Sequence, residues 1–208
     1  MCRSRTLHFN YRISHQTRMQ ADLLLGPEVS DLDGNTEERR GIVSVFNGPA
    51  PMIRSFADRA VEIDAVAAWL KARMAEGMPA HEIGVFVRSD AEMERARSAA
   101  DVALLPYCVL DLKVETTGRF ASRCTMPLAK GLKFRAVVVM ACDDEIVPPQ
   151  SRIESVADNA DLNEVYDTER HLMYVACTRA RDHQLVTSVE PGSMSLEGLQ
   201  APTGGGEP

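Results

Sequence analysis

The sequence predicts a three-layer α/β domain with a mainly parallel β-sheet. Strand patterns alternate with helix patterns along most of the 208 residues, which is the order expected when helices cover both faces of a sheet. Glu82–Val87 and Phe134–Ala141 are near-continuous apolar runs, as expected for strands buried on both faces. The chain is 45% hydrophobic and 25% charged, which is an ordinary composition for a globular domain.

The first 56 residues predict short strands around one helix. Ser14 is the expected N-cap of that helix, and Gly26-Pro27 ends it. Asp31–Arg40 is polar and is expected to be a loop. The apolar stripe of the helix is expected at Met19, Leu23 and Leu24. Short strands are expected at Thr6–Tyr11, Ile42–Phe46 and Met52–Phe56.

The middle and last parts of the chain continue the alternation. A long amphipathic helix begins at Asp58, buries Trp69 and ends near Gly77, and a second helix, capped by Ser89 or Asp90, runs to about Leu104. A third helix is expected to open at Asp167. The remaining strands are expected at Tyr107–Leu110, Ser122–Met126, Phe134–Ala141 and Gln184–Thr187, the last of which closes the sheet. The expected domain is 1–188, followed by a disordered tail at 189–208.

Charge and cysteine usage narrow the function classes. The net charge of −7 disfavours a nucleic-acid partner, but basic strips at 1–20 and 113–135 suit a protein that meets phosphate on one face. The alternative is that these strips are solvated surface. Five widely spaced cysteines without a C-x-x-C pair argue against a disulfide scaffold or a metal site. The chain lacks an apolar run of about 20 residues and a secretory signal, which predicts a cytoplasmic protein without a membrane partner.

Three segments carry residue types suited to phosphate chemistry. Glu169–Arg181 reads E-R-H-L-M-Y-V-A-C-T-R-A-R and places arginines where a helix gives way to a strand. Such arginines either reach a phosphate or complement the helix C-terminus, and this segment alone does not decide between the two. Asn10-Tyr11-Arg12 pairs an aromatic ring with an arginine, and Thr125–Phe134 contains Lys130-Gly131 at a turn. Ligands of parallel sheets meet the loops at the carboxyl ends of strands, and these three segments are expected there.

The order of these segments resembles a known family. N-Y-R near the start, I-G-V-F-V-R-S-D in the middle, A-K-G-L-K-F before a strand, and the final E-R-H-L-M-Y-V-A-C-T-R-A-R together resemble the second RecA-like motor domain of UvrD/Rep-like superfamily 1 DNA helicases. The resemblance covers roughly residues 6–188. It implies a RecA-like fold of the P-loop-NTPase type, which agrees with the fold class expected from the pattern of elements.

The resemblance implies roles for individual residues. Tyr11 matches the tyrosine that stacks on adenine, and Arg12 matches an arginine that contacts the γ-phosphate. Arg179 matches the second γ-phosphate contact, an arginine finger. The remaining implied roles belong to the coupling loop: Gly131 and Lys133 are expected beside the nucleotide, and Thr125 and Lys130 are expected on the DNA backbone.

Two residues depart from the family pattern. Pro127 stands where the family usually has a histidine that contacts DNA, and proline offers neither a side-chain donor nor a backbone N–H. Lys133 stands where the family usually has a glutamate that accepts from the ribose, and an ammonium group has no acceptor. Lys133 is therefore expected to reach a phosphate instead, and coupling between nucleotide and DNA is the function most affected.

The sequence lacks a G-x-x-x-x-G-K-[ST] phosphate loop, because it contains no G-K dipeptide. The resemblance therefore implies that ATP and Mg²⁺ are held mostly by a first RecA-like motor domain, lost in cis or supplied in trans, and that this chain alone is no ATPase. Single-stranded or duplex DNA is the implied polymer partner. The alternatives are a non-catalytic module that binds nucleic acid or protein on the same fold, and a fragment without independent function.

Overall fold

In the computed structural model, the described residues are 9–25, 28–30, 36–38, 43–110 and 119–199. The strands are β1 Phe9–Asn10, β2 Glu28–Ser30, β3 Thr36–Glu38, β4 Val43–Ser44, β5 Met52–Phe56, β6 Ile83–Val87, β7 Tyr107–Val109, β8 Ala121–Thr125, β9 Phe134–Val139 and β10 Ala180–Val189. The helices are α1 His15–Asp22, α2 Arg59–Ala75, α3 Met93–Ala103, α4 Gln150–Glu154, α5 Asn159–Cys177 and α6 Met194–Leu199.

A six-stranded sheet in the order β5-β10-β9-β6-β8-β7 forms the centre of the fold, and each neighbouring pair is parallel. Side chains of β9 alternate between two cores: Val137 and Val139 face α1, α5 and α6, whereas Ala136 and Val138 face α2 and α3. Every residue of β6 is buried. The three-layer α/β class with a parallel sheet is therefore confirmed, as are the two apolar runs that predicted buried strands.

The two helices between β5 and β7 differ in how well the sequence locates their ends. Asp58 caps α2 by accepting from the backbone N–H of Val61 at 2.9 Å, and Trp69 is 9% exposed, as expected. A 3₁₀ turn at Asp90–Glu92 precedes α3, which begins only at Met93. The expected start of this helix at Ser89 or Asp90 is therefore early by one turn.

The beginning of the chain departs more from expectation. Ser14 does cap α1, since its Oγ accepts from the backbone N–H of Thr17 at 3.2 Å. The predicted stripe is right for Leu24, which is buried, but wrong for Met19 and Leu23, which are about half exposed, whereas Thr17 and Ala21 are buried. β1 and β4 pair only with each other in the described part of the chain, and β3 lies within the segment expected to be a loop. Residues 6–8, 31–35 and 39–42 lie outside the described residues.

Helix α5 begins eight residues before the expected start at Asp167. The side chain of Asp158 accepts from the backbone N–H groups of Ala160 and Asp161 at 2.8 and 2.9 Å, which makes Asp158 the N-cap. The first turns of α5 are exposed, and Val165 is its first buried residue. The apolar residues of these turns, Ala160 and Leu162, are not buried, so hydrophobic periodicity does not locate this start.

The end of the domain also lies later than expected. Strand β10 extends to Val189 and lies inside the sheet between β5 and β9, so it does not form the edge. Helix α6 buries Leu196 and Leu199, and Gln20 on α1 donates to the backbone oxygen of Leu199 at 2.7 Å. The boundary at 188 is therefore wrong for residues 189–199, which form part of the core. Residues 200–208 lie outside the described residues.

Two fully buried carboxylates tie helices to the carboxyl edge of the sheet. Glu62 on α2 bonds to the guanidinium of Arg95, and accepts from Thr187 Oγ1 at 2.6 Å and from the backbone N–H of Ala141 at 3.1 Å. Arg95 also donates to Asp143 at 2.7 Å. Burial lowers the pKa of Arg95, but the hydrogen bond to Asp143 and the charge of Glu62 outweigh it and raise that pKa. Arg95 therefore keeps its positive charge inside the protein.

Glu169 on α5 forms the second cluster. It accepts from Arg88, which follows β6, at 2.7 Å and from Arg152 at 2.8 Å. Its side chain is fully buried, so both arginines neutralise a charge that water does not reach. No helix among the described residues is long and apolar enough to cross a membrane.

Replacing Glu62 is predicted to destabilise the fold strongly. The Glu62→Ala variant leaves the Arg95 guanidinium buried with one partner fewer, and removing one member of a buried pair costs about 3–5 kcal/mol. Urea unfolding followed by circular dichroism measures the loss. Glu94→Ala is the matched control, since Glu94 pairs with Arg97 on the surface, where such a pair contributes about 0–1 kcal/mol. Equal losses in the two variants would contradict the assignment.

Candidate functional site

A cavity of about 260 Å³ opens at the amino ends of β6, β9 and β10. It is lined by residues from four places in the sequence: the segment before α1, the segment before β6, the start of β9 and the start of β10. Cationic side chains are prominent among them. The lining residues are Arg12, Ile13, His81, Glu82, Leu132, Lys133, Phe134, Arg135, Thr178, Arg179 and Arg181.

Backbone hydrogen bonds bring the two sequence-predicted arginines to this cavity. The N–H of Ser14 donates to the carbonyl of Arg181 at 3.0 Å, which fixes the start of α1 against the start of β10. The N–H of Phe134 donates to the carbonyl of Arg179 at 3.0 Å, which aligns β9 with the end of α5. Arg12 and Arg179, which are far apart in sequence, therefore line one cavity.

Arg179 is half-buried and held by the protein itself. Its Nε donates to the carbonyl of Val175 at 2.9 Å, and its terminal nitrogens donate to Thr178 Oγ1 at 3.2 Å and more weakly to the carbonyl of Leu132 at 3.5 Å. The first of these is the helix C-terminus contact of the simpler interpretation. Because a guanidinium has five N–H donors, two remain for a ligand within the described part of the chain.

The electrostatics of Arg179 confirm that it lies near another cation. Burial lowers its pKa, and the positive charge of Arg12 lowers it further, whereas Tyr174 acts in the opposite direction. Two guanidinium groups that repel each other in a half-buried cavity favour an anion between them. The geometry is therefore suited to a ligand with several negative charges.

The other cations of the cavity differ in how far they are neutralised. Arg135 pairs with Glu82 at 3.1 Å and Asp182 at 3.0 Å, and hydrogen bonds to Asp182 and then Glu82 raise its pKa. Arg181 pairs with Asp182 at 3.4 Å and lies over the ring of Phe46 at 5.4 Å from its centroid. Lys133 is exposed and makes no ion pair with any described residue.

The cavity lies at the opposite edge of the sheet from the one that the sequence predicts. The rule for parallel sheets predicts a site at the carboxyl ends of strands, but Arg179 and Lys133 precede β10 and β9 and therefore lie at the amino ends. The carboxyl edge is occupied by the buried pairs of Glu62 and Glu169. The prediction of the edge is wrong, although the prediction that Arg12 and Arg179 meet is consistent with the structure.

The remaining candidate residues are placed as follows. Tyr11 is 67% exposed and is not among the residues that line the cavity. Thr125 ends β8 opposite Val87, at the edge of the sheet away from the cavity. Lys130 is exposed on the crossover between β8 and β9, and Gly131 follows it with φ +87°, a left-handed conformation that favours glycine. The structure therefore joins Lys133 to the two arginines but leaves Tyr11, Thr125 and Lys130 outside the cavity.

Sequence patterns did not single out Arg135, Glu82 or Asp182 for this cavity. Arg135 is the one charged residue of the β9 strand. A charge at the start of an otherwise apolar strand is a sequence signal that could have marked this end of β9 as reaching the surface. Glu82 and Asp182 can be recognised as partners of Arg135 only when β6, β9 and β10 are known to be neighbours. This adjacency depends on sheet order, which local patterns do not encode.

The described residues contain no group of three or more His, Cys, Asp or Glu side chains placed to hold a metal ion. Burial raises the pKa of the Cys124 and Cys177 thiols to about 12, so both stay protonated at neutral pH and belong to the core.

Comparison with known proteins finds one matching family and solved structures with a similar fold. Residues 124–190 match the family of UvrD-like helicase C-terminal domains. The fold matches the C-terminal domain of a possible DNA helicase from Lactobacillus plantarum WCFS1, with 18% identity and a TM-score of 0.62 over 92% of this chain and 95% of that one.

The structure of S. tokodaii Xpd4 overlaps less well, with 14% identity and a TM-score of 0.40 over 74% of this chain and 37% of that one, and this overlap supports no conclusion. A comparison with curated proteins gave no match. The matched segment contains the crossover, β9, α5 and β10, and therefore Lys133 and Arg179. Over residues 124–190 the chain is therefore similar to UvrD-like helicase C-terminal domains.

Proposed function

We propose that this domain is the C-terminal motor half of an ATP-dependent DNA helicase, in which Arg12 and Arg179 act on the γ-phosphate of ATP held by a first motor domain. The observation that carries the proposal is the convergence of these two arginines in one cation-lined cavity. The cavity opens at the amino edge of the sheet, so the nucleotide is brought to it from outside the domain.

The two arginines have different tasks in this proposal. Arg179 is fixed by Val175 and Thr178 and presents its remaining N–H donors in one orientation, which suits a finger that neutralises charge as the phosphoryl group is transferred. Arg12 lines the same cavity from the segment before α1 and is exposed. Catalysis then depends on closing the partner domain, because only closure brings the phosphate between them.

A partner surface beside the cavity supports the need for a second domain. Tyr11 and Val45 are 67% and 51% exposed, and they adjoin Arg12 and Phe46 in the chain. Large apolar side chains exposed next to a charged cavity are typical of an interaction surface. Tyr11 is proposed to stack on the adenine once the first motor domain covers this surface, and Gly131 is proposed to let the crossover approach the nucleotide closely.

The residues present fit the phosphates of ATP better than its metal. The cavity is rich in cations, and the described residues form no cluster of metal ligands. Mg²⁺ and the phosphate loop are therefore assigned to the first motor domain, where the metal screens the phosphate charge. Since the sequence contains no G-x-x-x-x-G-K-[ST] motif, the chain alone is proposed to be inactive as an ATPase.

The crossover between β8 and β9 is the proposed DNA contact. Thr125 offers a hydroxyl and Lys130 an exposed ammonium, both suited to backbone phosphates rather than bases. Pro127 lies exposed in the same crossover and offers no donor, which weakens this surface. A non-catalytic module that binds nucleic acid or a protein through the same fold is the second candidate, and Pro127 is the observation that favours it.

ATP hydrolysis tests the finger assignment. The chain alone is predicted to show no turnover, and joining it to a UvrD-like first motor domain is predicted to produce turnover that Arg179→Ala lowers by about 10³–10⁵. Arg170→Ala is the control, because Arg170 lies exposed on α5, the helix that precedes Arg179, and pairs only with Asp167 among the described residues. Arg179→Lys keeps the positive charge but loses the planar set of guanidinium donors. Thermal unfolding confirms that each variant folds. Turnover that survives Arg179→Ala would refute the finger.

Binding of single-stranded DNA tests the crossover. Lys130→Ala is predicted to weaken binding and to lower the slope of log affinity against log salt by about 1, because one phosphate contact is lost. Thr125→Val is predicted to weaken binding without changing the slope, since the hydroxyl is neutral. Lys71→Ala, on the exposed surface of α2, is the control for net charge. If Lys130→Ala and Lys71→Ala have the same effect, the crossover is not the DNA surface.

A further inference from the structure

The cavity at the amino edge offers far more to a phosphate chain than to a nucleoside. Five of its lining residues are cations, namely Arg12, Lys133, Arg135, Arg179 and Arg181. Glu82 is the lining carboxylate, and it is already bonded to Arg135 at 3.1 Å. Asp182, which is outside the lining, also pairs with Arg135 and Arg181, so among the described residues Lys133 and Arg179 are the lining cations for which no ion pair is seen.

The lining contains little on which a base can stack. Phe134 is 5% exposed, and its ring packs edge-on against Phe86 with centroids 5.8 Å apart. The ring of Phe46 carries the guanidinium of Arg181. Tyr11 lies outside the lining set, and His81 is the other ring at the rim. The cavity itself thus provides no buried aromatic platform.

The lining side chains offer few acceptors for sugar hydroxyls: besides Glu82, these are the Thr178 hydroxyl and the His81 ring. Lys133 has three N–H donors and no acceptor, and it is exposed without an ion-pair partner among the described residues. The carboxylate of Glu82 is engaged by Arg135. Ammonium and guanidinium groups form stronger, charge-assisted hydrogen bonds with the charged oxygens of a phosphate than with the neutral oxygen of a ribose hydroxyl.

We infer that this cavity is a binding site for the oligophosphate chain itself, independent of the nucleoside, and that Lys133 determines this specificity. Arg179 and Arg12 hold one end of the phosphate chain, and Lys133 extends the site along the start of β9. The inference rests on the proposed function only because it uses the same cavity. Finger action requires a first motor domain, whereas oligophosphate binding is a property of this chain alone.

Isothermal titration calorimetry of the chain at low salt tests the inference with three ligands: tripolyphosphate, ATP and AMP. Tripolyphosphate is expected to bind as tightly as ATP, and AMP is expected to bind at least roughly tenfold more weakly because it lacks the β- and γ-phosphates. Equal binding of tripolyphosphate and ATP identifies the phosphate chain as the ligand. If ATP binds and tripolyphosphate does not, the nucleoside is required and the inference is wrong.

The Lys133→Glu variant tests whether Lys133 determines the binding of tripolyphosphate. Losing one charge-assisted contact and adding a negative charge is expected to weaken tripolyphosphate binding by roughly 10–100-fold. Lys71→Glu makes the same charge change at an exposed residue of α2 that does not line the cavity, and it is expected to leave binding nearly unchanged. Equal weakening by both variants would mean that only net charge matters and would overturn the role of Lys133. Thermal unfolding without ligand confirms that both variants fold.

Further outcomes separate this inference from the proposed function. If neither tripolyphosphate nor ATP binds at millimolar concentration, the oligophosphate site is refuted. Finger action with a first motor domain is then judged separately, by the rate of ATP hydrolysis of the joined domains. If a single-stranded oligonucleotide displaces tripolyphosphate at equal phosphate concentration, the cavity binds any phosphate backbone and the inference is also refuted. Conversely, loss of finger action with intact tripolyphosphate binding would refute the proposed function and leave this site in place.

Discussion

The hydrogen bond from the N–H of Ser14 to the carbonyl of Arg181 is the interaction on which the site depends. It joins the start of α1 to the start of β10 at 3.0 Å, and the side chain of Ser14 caps α1 at the same point. Gly48 approaches so closely that a Cβ there would lie 2.8 Å from the Ser14 side chain. Because this junction is tightly packed, Arg12 has a defined position relative to Arg179.

The two edges of the sheet differ in how far their charged side chains are neutralised. At the carboxyl edge, Glu62 and Glu169 are fully buried, and each is satisfied by arginines and hydrogen bonds. At the amino edge, Lys133 and Arg179 face a cavity, and carboxylates compensate only part of the charge. Internal neutralisation stabilises one edge, while the other is left electrically suited to an anion. A protein of net charge −7 thus presents a local cationic site.

The sequence predicted what depends on local chemistry. Buried strands at Ile83–Val87 and Phe134–Val139, the caps Ser14 and Asp58, and the pairing of Arg12 with Arg179 in one site follow from periodicity, capping chemistry and family motifs. Each is a property of a few consecutive residues or of a recognisable motif. The resemblance to helicase motor domains agrees with the family match over 124–190 and with the observed fold.

The errors arose where long-range packing decides. The exposed first turns of α5 concealed its start at Asn159, and the lack of a hydrophobic period after Pro191 concealed α6, whose Leu196 and Leu199 are buried in the core that α1 also joins. The edge was assigned wrongly because the carboxyl-end rule describes where a sheet binds its own ligand. A cavity that receives a ligand from another domain need not follow that rule.

A double-mutant cycle on Arg12 and Arg179 tests the central claim most directly. The measured quantity is the rate of ATP hydrolysis by the chain joined to a UvrD-like first motor domain, for Arg12→Ala, Arg179→Ala and both together. If both guanidinium groups act on one phosphate, the double variant loses less than the product of the single losses, because groups that act as a unit are non-additive. Losses that multiply independently would place the two arginines at separate sites and contradict the account.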